Sequence, residues 1–323
     1  MRRTLLKTPL LALAAMSGLS ARAQSDWPSK PIRIIVPTPP GGAYDKLIRP
    51  IAQDMAATLG QPLVIDNRPG AGNIVGTTAA AKAAPDGYTL GMTGMVNTIS
   101  ASLFDNVPYD INKDFVHIGS VGEGPQWLVV RTDLGIQSFA QLIDEARRQP
   151  GKFNYATSGA GSTGHLLMEQ LQRATRTQMV HVPYKGGAPA LQDVLAGVVA
   201  ITVIPPAGAM GHVKAGKLKV LAVSSAQRTA TEPDIPTFAE QGFKELTATS
   251  YAGLSAPKGT PRAVVDRLYA ALKTTLDKPA IRAQLQAEGA LPVFHGPQAY
   301  ADLLQADTER WGQLIKALNL KAP

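Results

Sequence analysis

The stretch Pro31-Ile32-Arg33-Ile34-Ile35-Val36-Pro37-Thr38-Pro39-Pro40-Gly41-Gly42-Ala43-Tyr44-Asp45 decides the fold. Its first half is short, apolar and β-branched, as a buried strand requires. Its second half breaks the strand with prolines and glycines. Leu47, Ile48, Ile51, Met55 and Leu59 then recur at helical spacing over residues 45–59. A strand, a sharp glycine turn and a helix open an α/β unit, and the turn lies at the carboxyl end of the strand, where open sheets bind ligands.

The alternation continues outward from there. Leu63-Val64-Ile65-Asp66 reads as a second strand, residues 74–84 as an alanine-rich helix stopped by Pro85-Asp86-Gly87, and residues 88–92 as a third strand. Two strand-like runs within residues 116–130 carry the chain towards a second lobe. Helices are expected there over residues 138–149, 166–174 and 188–196, and strands over 153–156, 179–183, 198–204 and 217–223. Residues 247–254 form a returning strand. Thr260-Pro261 then starts a helix as N-cap and first-turn proline, and residues 297–318 form the last helix. This order predicts an α/β protein with largely parallel sheets. Both lobes place a glycine-rich turn between a strand and a helix.

The chain has 323 residues, 45% hydrophobic and 17% charged, a globular composition long enough for two domains at about 150 residues each. With no cysteine there is no disulfide, thiolate nucleophile, cysteine-held metal or lipidated N-terminal cysteine. Arg2, Arg3 and Lys7, an apolar run over residues 10–16, and Ala21-Arg22-Ala23 read as a signal peptide over residues 1–23. Export follows the Sec route or, given Arg2-Arg3, the twin-arginine route. Removing that segment takes four basic residues and no acid, so the formal charge falls from +8 to +4. The remaining basic residues are scattered and not interleaved with aromatics, which argues against a nucleic-acid partner.

Glycines at the 39–45 corner let the backbone approach a ligand, and the first N–H groups of the following helix have no intrahelical acceptor, so the corner suits an anion. Equally, Gly41-Gly42 turns the chain and Asp45 caps the helix. Thr157-Ser158-Gly159-Ala160-Gly161-Ser162-Thr163-Gly164 repeats the arrangement with hydroxyls added. Gly159, Gly161 and Gly164 match the dinucleotide fingerprint, but no acid lies between Glu169 and Asp193 to hold a ribose. A serine hydrolase using Ser158 or Ser162 with His165 rests on proximity alone, since no G-x-S-x-G surrounds either serine. His165 and Glu169 stand four apart, which suits a helix-surface pair better than a zinc site. Lys185, in Tyr184-Lys185-Gly186-Gly187, either neutralises an anion or is solvated. Thr93 follows the third strand, and Tyr44 and Tyr251 are candidate walls.

Taken together, Val36 to Asp45 as quoted, Asn67-Arg68-Pro69-Gly70-Ala71-Gly72, Ala84-Pro85-Asp86-Gly87-Tyr88-Thr89-Leu90, Tyr155 to Ser162, His165-Leu166, Val182-Pro183-Tyr184-Lys185-Gly186, Ala215-Gly216-Lys217-Leu218, Pro236-Thr237 and Ala256-Pro257-Lys258-Gly259-Thr260-Pro261 resemble the periplasmic solute-binding proteins of tripartite tricarboxylate transporters, the Bug family. The resemblance covers essentially the whole chain after residue 23. It implies a two-lobed periplasmic binding protein fold, type II-like, each lobe a mostly parallel sheet flanked by helices. Residues 24–122 and 250–323 would make lobe 1, and residues 123–249 lobe 2. It further implies a non-enzymatic, monomeric receptor that closes over a small organic carboxylate and presents it to the transporter's membrane subunits, with no cofactor and no metal.

On this reading the ligand-binding residues are Thr38, Pro39, Gly42, Ala43, Tyr44, Asp45 and Thr93 in lobe 1. Lobe 2 supplies Ser158, Gly159, Gly161, Ser162, His165, Tyr184, Lys185 and Pro205. The chain departs from the family pattern in several places. Thr38 stands where Phe is usual, Tyr44 where a small residue is common and Tyr251 where Trp is frequent. Residues 197–206 lack the acids often found there. These changes lean towards a carboxylate with an uncharged or aromatic body.

Overall fold

The computed structural model describes residues 27–229, 232–291 and 293–321; the expected signal peptide over residues 1–23 lies outside them. In chain order the first elements are β1 (Ile32–Val36), α1 (Ala43–Leu59), β2 (Leu63–Asn67), α2 (Ile74–Ala81), β3 (Thr89–Gly94), α3 (Met95–Leu103) and β4 (Phe115–Pro125). Next come β5 (Trp127–Arg131), α4 (Phe139–Arg148), β6 (Asn154–Thr157), α5 (Thr163–Thr175), β7 (Val180–Pro183), α6 (Gly187–Leu195), β8 (Ile201–Ile204), α7 (Pro206–Lys214) and β9 (Leu218–Val223). The chain then returns through β10 (Thr249–Pro257) to α8 (Arg262–Leu276), α9 (Pro279–Ala287) and α10 (Pro297–Leu318).

The strands form two five-stranded sheets, ordered β2-β1-β3-β10-β4 and β7-β6-β8-β5-β9. Each sheet is parallel except for one reversed strand, β10 in the first and β5 in the second. Both reversed strands are the ones that have just crossed from the other lobe. The reason is geometric: a strand arriving at the carboxyl edge of parallel neighbours must run against them. Trp127, the first residue of β5, lies opposite Ile204 at the end of β8, and Ala252 of β10 lies opposite Gly94 at the end of β3. The carboxyl edges of both sheets therefore meet at the junction of the lobes, the position at which open α/β sheets take ligands.

Three apolar clusters cover the sheet faces. One joins α1, α8 and α9 to the first sheet, and a second joins α6 and α7 to the second. The third is continuous across both lobes, from Met95, Ile99, Leu103 and Trp311 to Phe139, Tyr155, Leu166 and Phe238. Burying side chains of this size stabilises by about 1.5–3 kcal/mol each.

Helices α3, α7 and α9 lie where no helix was read from the sequence. α8 begins one residue later than expected, with Pro261 as its N-cap, while the Thr260 hydroxyl donates to the Pro257 carbonyl instead.

Candidate functional site

At the first corner, Gly41 takes a left-handed conformation (φ 75°) and Gly42 caps α1 without a side chain. The Gly42 N–H donates back to the Pro39 carbonyl at 2.9 Å, which closes the turn. Asp45, at the third helical position, accepts from the Gly41 N–H at 2.8 Å, from Arg49 Nε and Nη2 at 2.8 and 2.7 Å, and from Asn67 Nδ2 at 2.9 Å. Burial opposes the Asp45 charge, but the hydrogen bonds from Arg49, Gly41 and Asn67 outweigh it and hold the carboxyl below its usual range. The amides of Ala43, Tyr44 and Asp45 have no acceptor among the described residues, as expected for a first helical turn. Arg49 neutralises Asp45, so these donors face an incoming anion without a free negative charge behind them. The Thr38 hydroxyl, beside Gly42, is buried and unpartnered.

The second corner is built the same way from different residues. Gly161 is left-handed (φ 76°), Ser162 caps α5, and the Ser162 N–H donates to the Gly159 carbonyl at 3.2 Å. At the third helical position stands His165, whose Nδ1 accepts from the Gly161 N–H at 3.2 Å. Ser162 Oγ accepts from the His165 N–H. The amides of Ser158, Ala160, Thr163 and Gly164 have no acceptor among the described residues, and the Ser158 side chain is exposed. Burial pulls His165 down to about 4, so the ring is neutral at physiological pH.

Two more helices begin at the same edge of lobe 2. α6 starts after Lys185-Gly186, with Gly187 open to space on its Cβ side, and α7 starts after Pro205. Lys185 is exposed and Pro205 half-buried. The Tyr184 hydroxyl donates to Asp193, fixing the 184–187 turn to its own helix.

The lobes are joined at Gln126 and Ala248. The Gln126 N–H donates to Ser224 Oγ, the Ser224 N–H to the Gln126 carbonyl, and the Ala248 N–H to the Ser224 carbonyl. Gln126 Nε2 reaches Ser250 Oγ at 3.0 Å, and Ser250 Oγ lies 2.8 Å from Thr163 Oγ1 at the start of α5. Thr163 and Met95 meet across the lobes as well, and Gly161 packs against Leu103 and Ile99 of α3. Of these junction residues only Gly161 and Thr163 lie in a stretch with a sequence signature, the glycine-rich run over residues 157–164.

Several expected site residues lie elsewhere. Thr93 is 0% exposed and bonds to Ser255 Oγ and Tyr300 Oη inside lobe 1, in a chain that ends at His117. Tyr44 is buried, its hydroxyl against Gly94, and Tyr251 is buried in the continuous core. Asp45 and His165 stand behind their turns and shape them, at 2% and 8% exposure. Thr38, Pro39, Gly42 and Ala43 in lobe 1, and Ser158, Gly159, Ser162, Lys185 and Pro205 in lobe 2, remain on the carboxyl edges.

The serine-hydrolase alternative loses its geometry here. His165 accepts from Gly161 and Ser162 accepts from the His165 backbone, so the ring is not poised to deprotonate that serine. Gly164 packs closely on Val203 of β8, where a Cβ would come within 2.6 Å of the Val203 carbonyl oxygen. The third glycine of a dinucleotide fingerprint packs in the same way, so it is the missing ribose acid that speaks against that cofactor. Among the described residues no three His, Asp or Glu side chains converge as a metal site would need, and no helix is long and apolar enough to cross a membrane.

Two sheets whose carboxyl edges face each other, each presenting an anion-receptive helix start, define a two-lobed solute-binding protein. The chain belongs to the family described as tripartite tricarboxylate transporter family receptor, TctC, which it matches over residues 47–320. It is 35% identical to Protein BugT of Bordetella pertussis over 310 residues, 95% of each chain. Among solved structures, a protein from R. palustris with adipate is 32% identical with a TM-score of 0.86, covering 92% of this chain and all of that one. The periplasmic binding protein BugD is 31% identical with a TM-score of 0.84 over the same shares. MatC from Rhodopseudomonas palustris, solved with malate, is 30% identical with a TM-score of 0.81, covering 90% of this chain and 100% of that one. The family is one of solute-binding receptors, not of enzymes.

Proposed function

We propose that this protein is a periplasmic receptor that takes up a small organic carboxylate between its lobes and delivers it to a tripartite tricarboxylate-type membrane transporter. The observation that carries the reading is the matched pair of corners. Each offers unpaired amides at a helix start, backed by a group whose charge is cancelled or absent. Such a site favours an anion through backbone donors and the helix dipole. Adipate and malate in the relatives' structures support the same ligand class.

Lobe closure follows from this arrangement. A carboxylate that meets both corners only when the lobes approach stabilises the closed state by the difference in its contacts between states. The Gln126–Ser224–Ala248 bonds at the crossing strands are the place where such a motion would hinge. Among the described residues lobe 1 is assigned 27–125, 249–291 and 293–321, the crossings falling at Gln126 and Ala248, a few residues from the sequence-based boundaries. In lobe 2 the stretch from Val198 to Pro206 carries no acid, which favours a ligand body without an ammonium group.

A thermal-shift screen of the protein without residues 1–23 against mono-, di- and tricarboxylates, aliphatic and aromatic, tests the proposal. Stabilisation by at least one acid and none by its amide is expected; no response to any carboxylate would overturn it.

A further inference from the structure

Behind the second corner lies a buried polar stack that a single-turn anion site does not need. The His165 and His181 rings are stacked with centroids 4.0 Å apart and planes 12° apart, and Tyr155 stacks on the far side of His181 at 5.0 Å. Register explains the arrangement: Tyr155 of β6 lies directly opposite His181 of β7, on the face that α5 covers with His165. The rings are also anchored at their edges. His181 Nε2 is 2.7 Å from Thr157 Oγ1, which itself accepts from the Gly159 N–H at 3.3 Å. His165 Nδ1 accepts from the Gly161 N–H, while its Nε2 points at Glu169 Oε1, 3.9 Å away. Glu169 in turn accepts from the Tyr155 hydroxyl at 2.6 Å and from Gln172 Nε2 at 3.2 Å.

We propose that His165 and His181 are positioning residues: as neutral rings they occupy the amide of Gly161 and, through Thr157, that of Gly159, and thereby select the amides of Ser158, Ala160, Thr163 and Gly164 as the set offered to a carboxylate. The tautomer follows from the bonds. An Nδ1 that accepts from a backbone N–H carries no proton, so the His165 proton sits on Nε2, facing Glu169. Protonating Nδ1 would set two N–H groups against each other and release Gly161. The titratable groups facing the pair are Glu169 on α5 itself, Tyr155 on β6 and, for each ring, the other histidine. Burial, and for His181 also the charge that His165 would carry, pushes both rings down to about 4, in keeping with the neutral pair.

This assignment rests on the carboxylate reading, but its first test needs no ligand. Long-range ¹H–¹⁵N spectra of the histidine rings are expected to show His165 as the Nε2–H tautomer. Its titration midpoint should lie near pH 4, with the Gly161 amide resonance moving at the same midpoint. A proton on Nδ1, or titration near 6.5 without a response at Gly161, would overturn the assignment. The second test compares variants at neutral pH with adipate as probe, or malate where adipate does not bind. His165→Phe keeps the stack and removes the acceptor, and should weaken binding about tenfold. His165→Asn, which retains an acceptor near the Nδ1 position, should recover most of that loss. Equal affinity for wild type and the Phe variant would contradict the proposal. Failure of every carboxylate to bind wild-type protein would sink the receptor reading and leave the ring tautomer to decide the positioning role.

Discussion

The two ligand corners share one backbone plan and differ in the group that holds it. In both, a left-handed glycine precedes the N-cap, the N-cap amide donates three residues back, and the side chain at the third helical position accepts from the glycine N–H. Lobe 1 uses a carboxylate locked by Arg49 and Asn67; lobe 2 uses a neutral imidazole stacked on a second one. An anion site cannot tolerate an uncompensated negative charge behind its donors. One lobe cancels that charge, and the other avoids it.

If the plan is shared but the supports differ, the corners should fail differently. Among the substitutions the largest effect is expected from Asp45→Ala, which strands the Gly41 amide, Asn67 Nδ2 and the Arg49 pair; a loss of about 3 kcal/mol in urea unfolding is predicted. A cost below about 1 kcal/mol would mean that Asp45 does not organise the turn. Alanine at the glycines separates the corners next. Gly41 has nothing within 4 Å of its Cβ position, whereas at Gly161 a Cβ would come 2.4 Å from Leu103 Cδ2. Both substitutions carry the left-handed penalty of about 1 kcal/mol. Gly161→Ala adds overpacking against α3 and should cost about 2–3 kcal/mol in total. Equal destabilisation of the two variants would show that the Gly161–Leu103 contact contributes nothing.

Acid should act through histidines. Burial holds His117 in lobe 1, and His165 and His181 in lobe 2, at about 4, below the free value of 6.5. The unfolded chain therefore binds more protons than the folded one between these values. Stability is full above pH 6.5 and falls as the pH drops from 6.5 to 4, by at most about 1.4 kcal/mol per pH unit for each ring. Melting curves across this window check the sign; a melting temperature that stays level, or rises towards pH 4, would contradict neutral buried rings. The smallest effect is expected at Ser158. Its side chain is exposed, so Ser158→Ala should leave stability unchanged and weaken carboxylate binding about threefold to tenfold. Calorimetry giving unchanged affinity would remove that hydroxyl from the site.

Much of this architecture was legible in the sequence where pattern and chemistry coincide. The run from Ile32 to Val36, the turn at Gly41-Gly42 and the last helix all follow from local periodicity and turn residues. α3 escaped because its buried face includes Asn97, Thr98 and Ser100, which break an apolar stripe. α7 is glycine-rich, and α9 buries only Ile281 and Leu285. At the site, residues beside the turns were found, but the side on which each points depends on packing far away in sequence. Thr93 turns inward to Ser255 and Tyr300, and His165 backs its turn because His181 arrives from another strand.

The central claim is that both corners receive the same anion. The direct measurement is the ¹H–¹⁵N amide spectrum of the protein titrated with adipate or malate. The account predicts that Ala43 and Tyr44 in lobe 1, and Thr163 and Gly164 in lobe 2, shift together along one binding isotherm. Shifts confined to one lobe, or absent at both helix starts while the ligand binds, would contradict it.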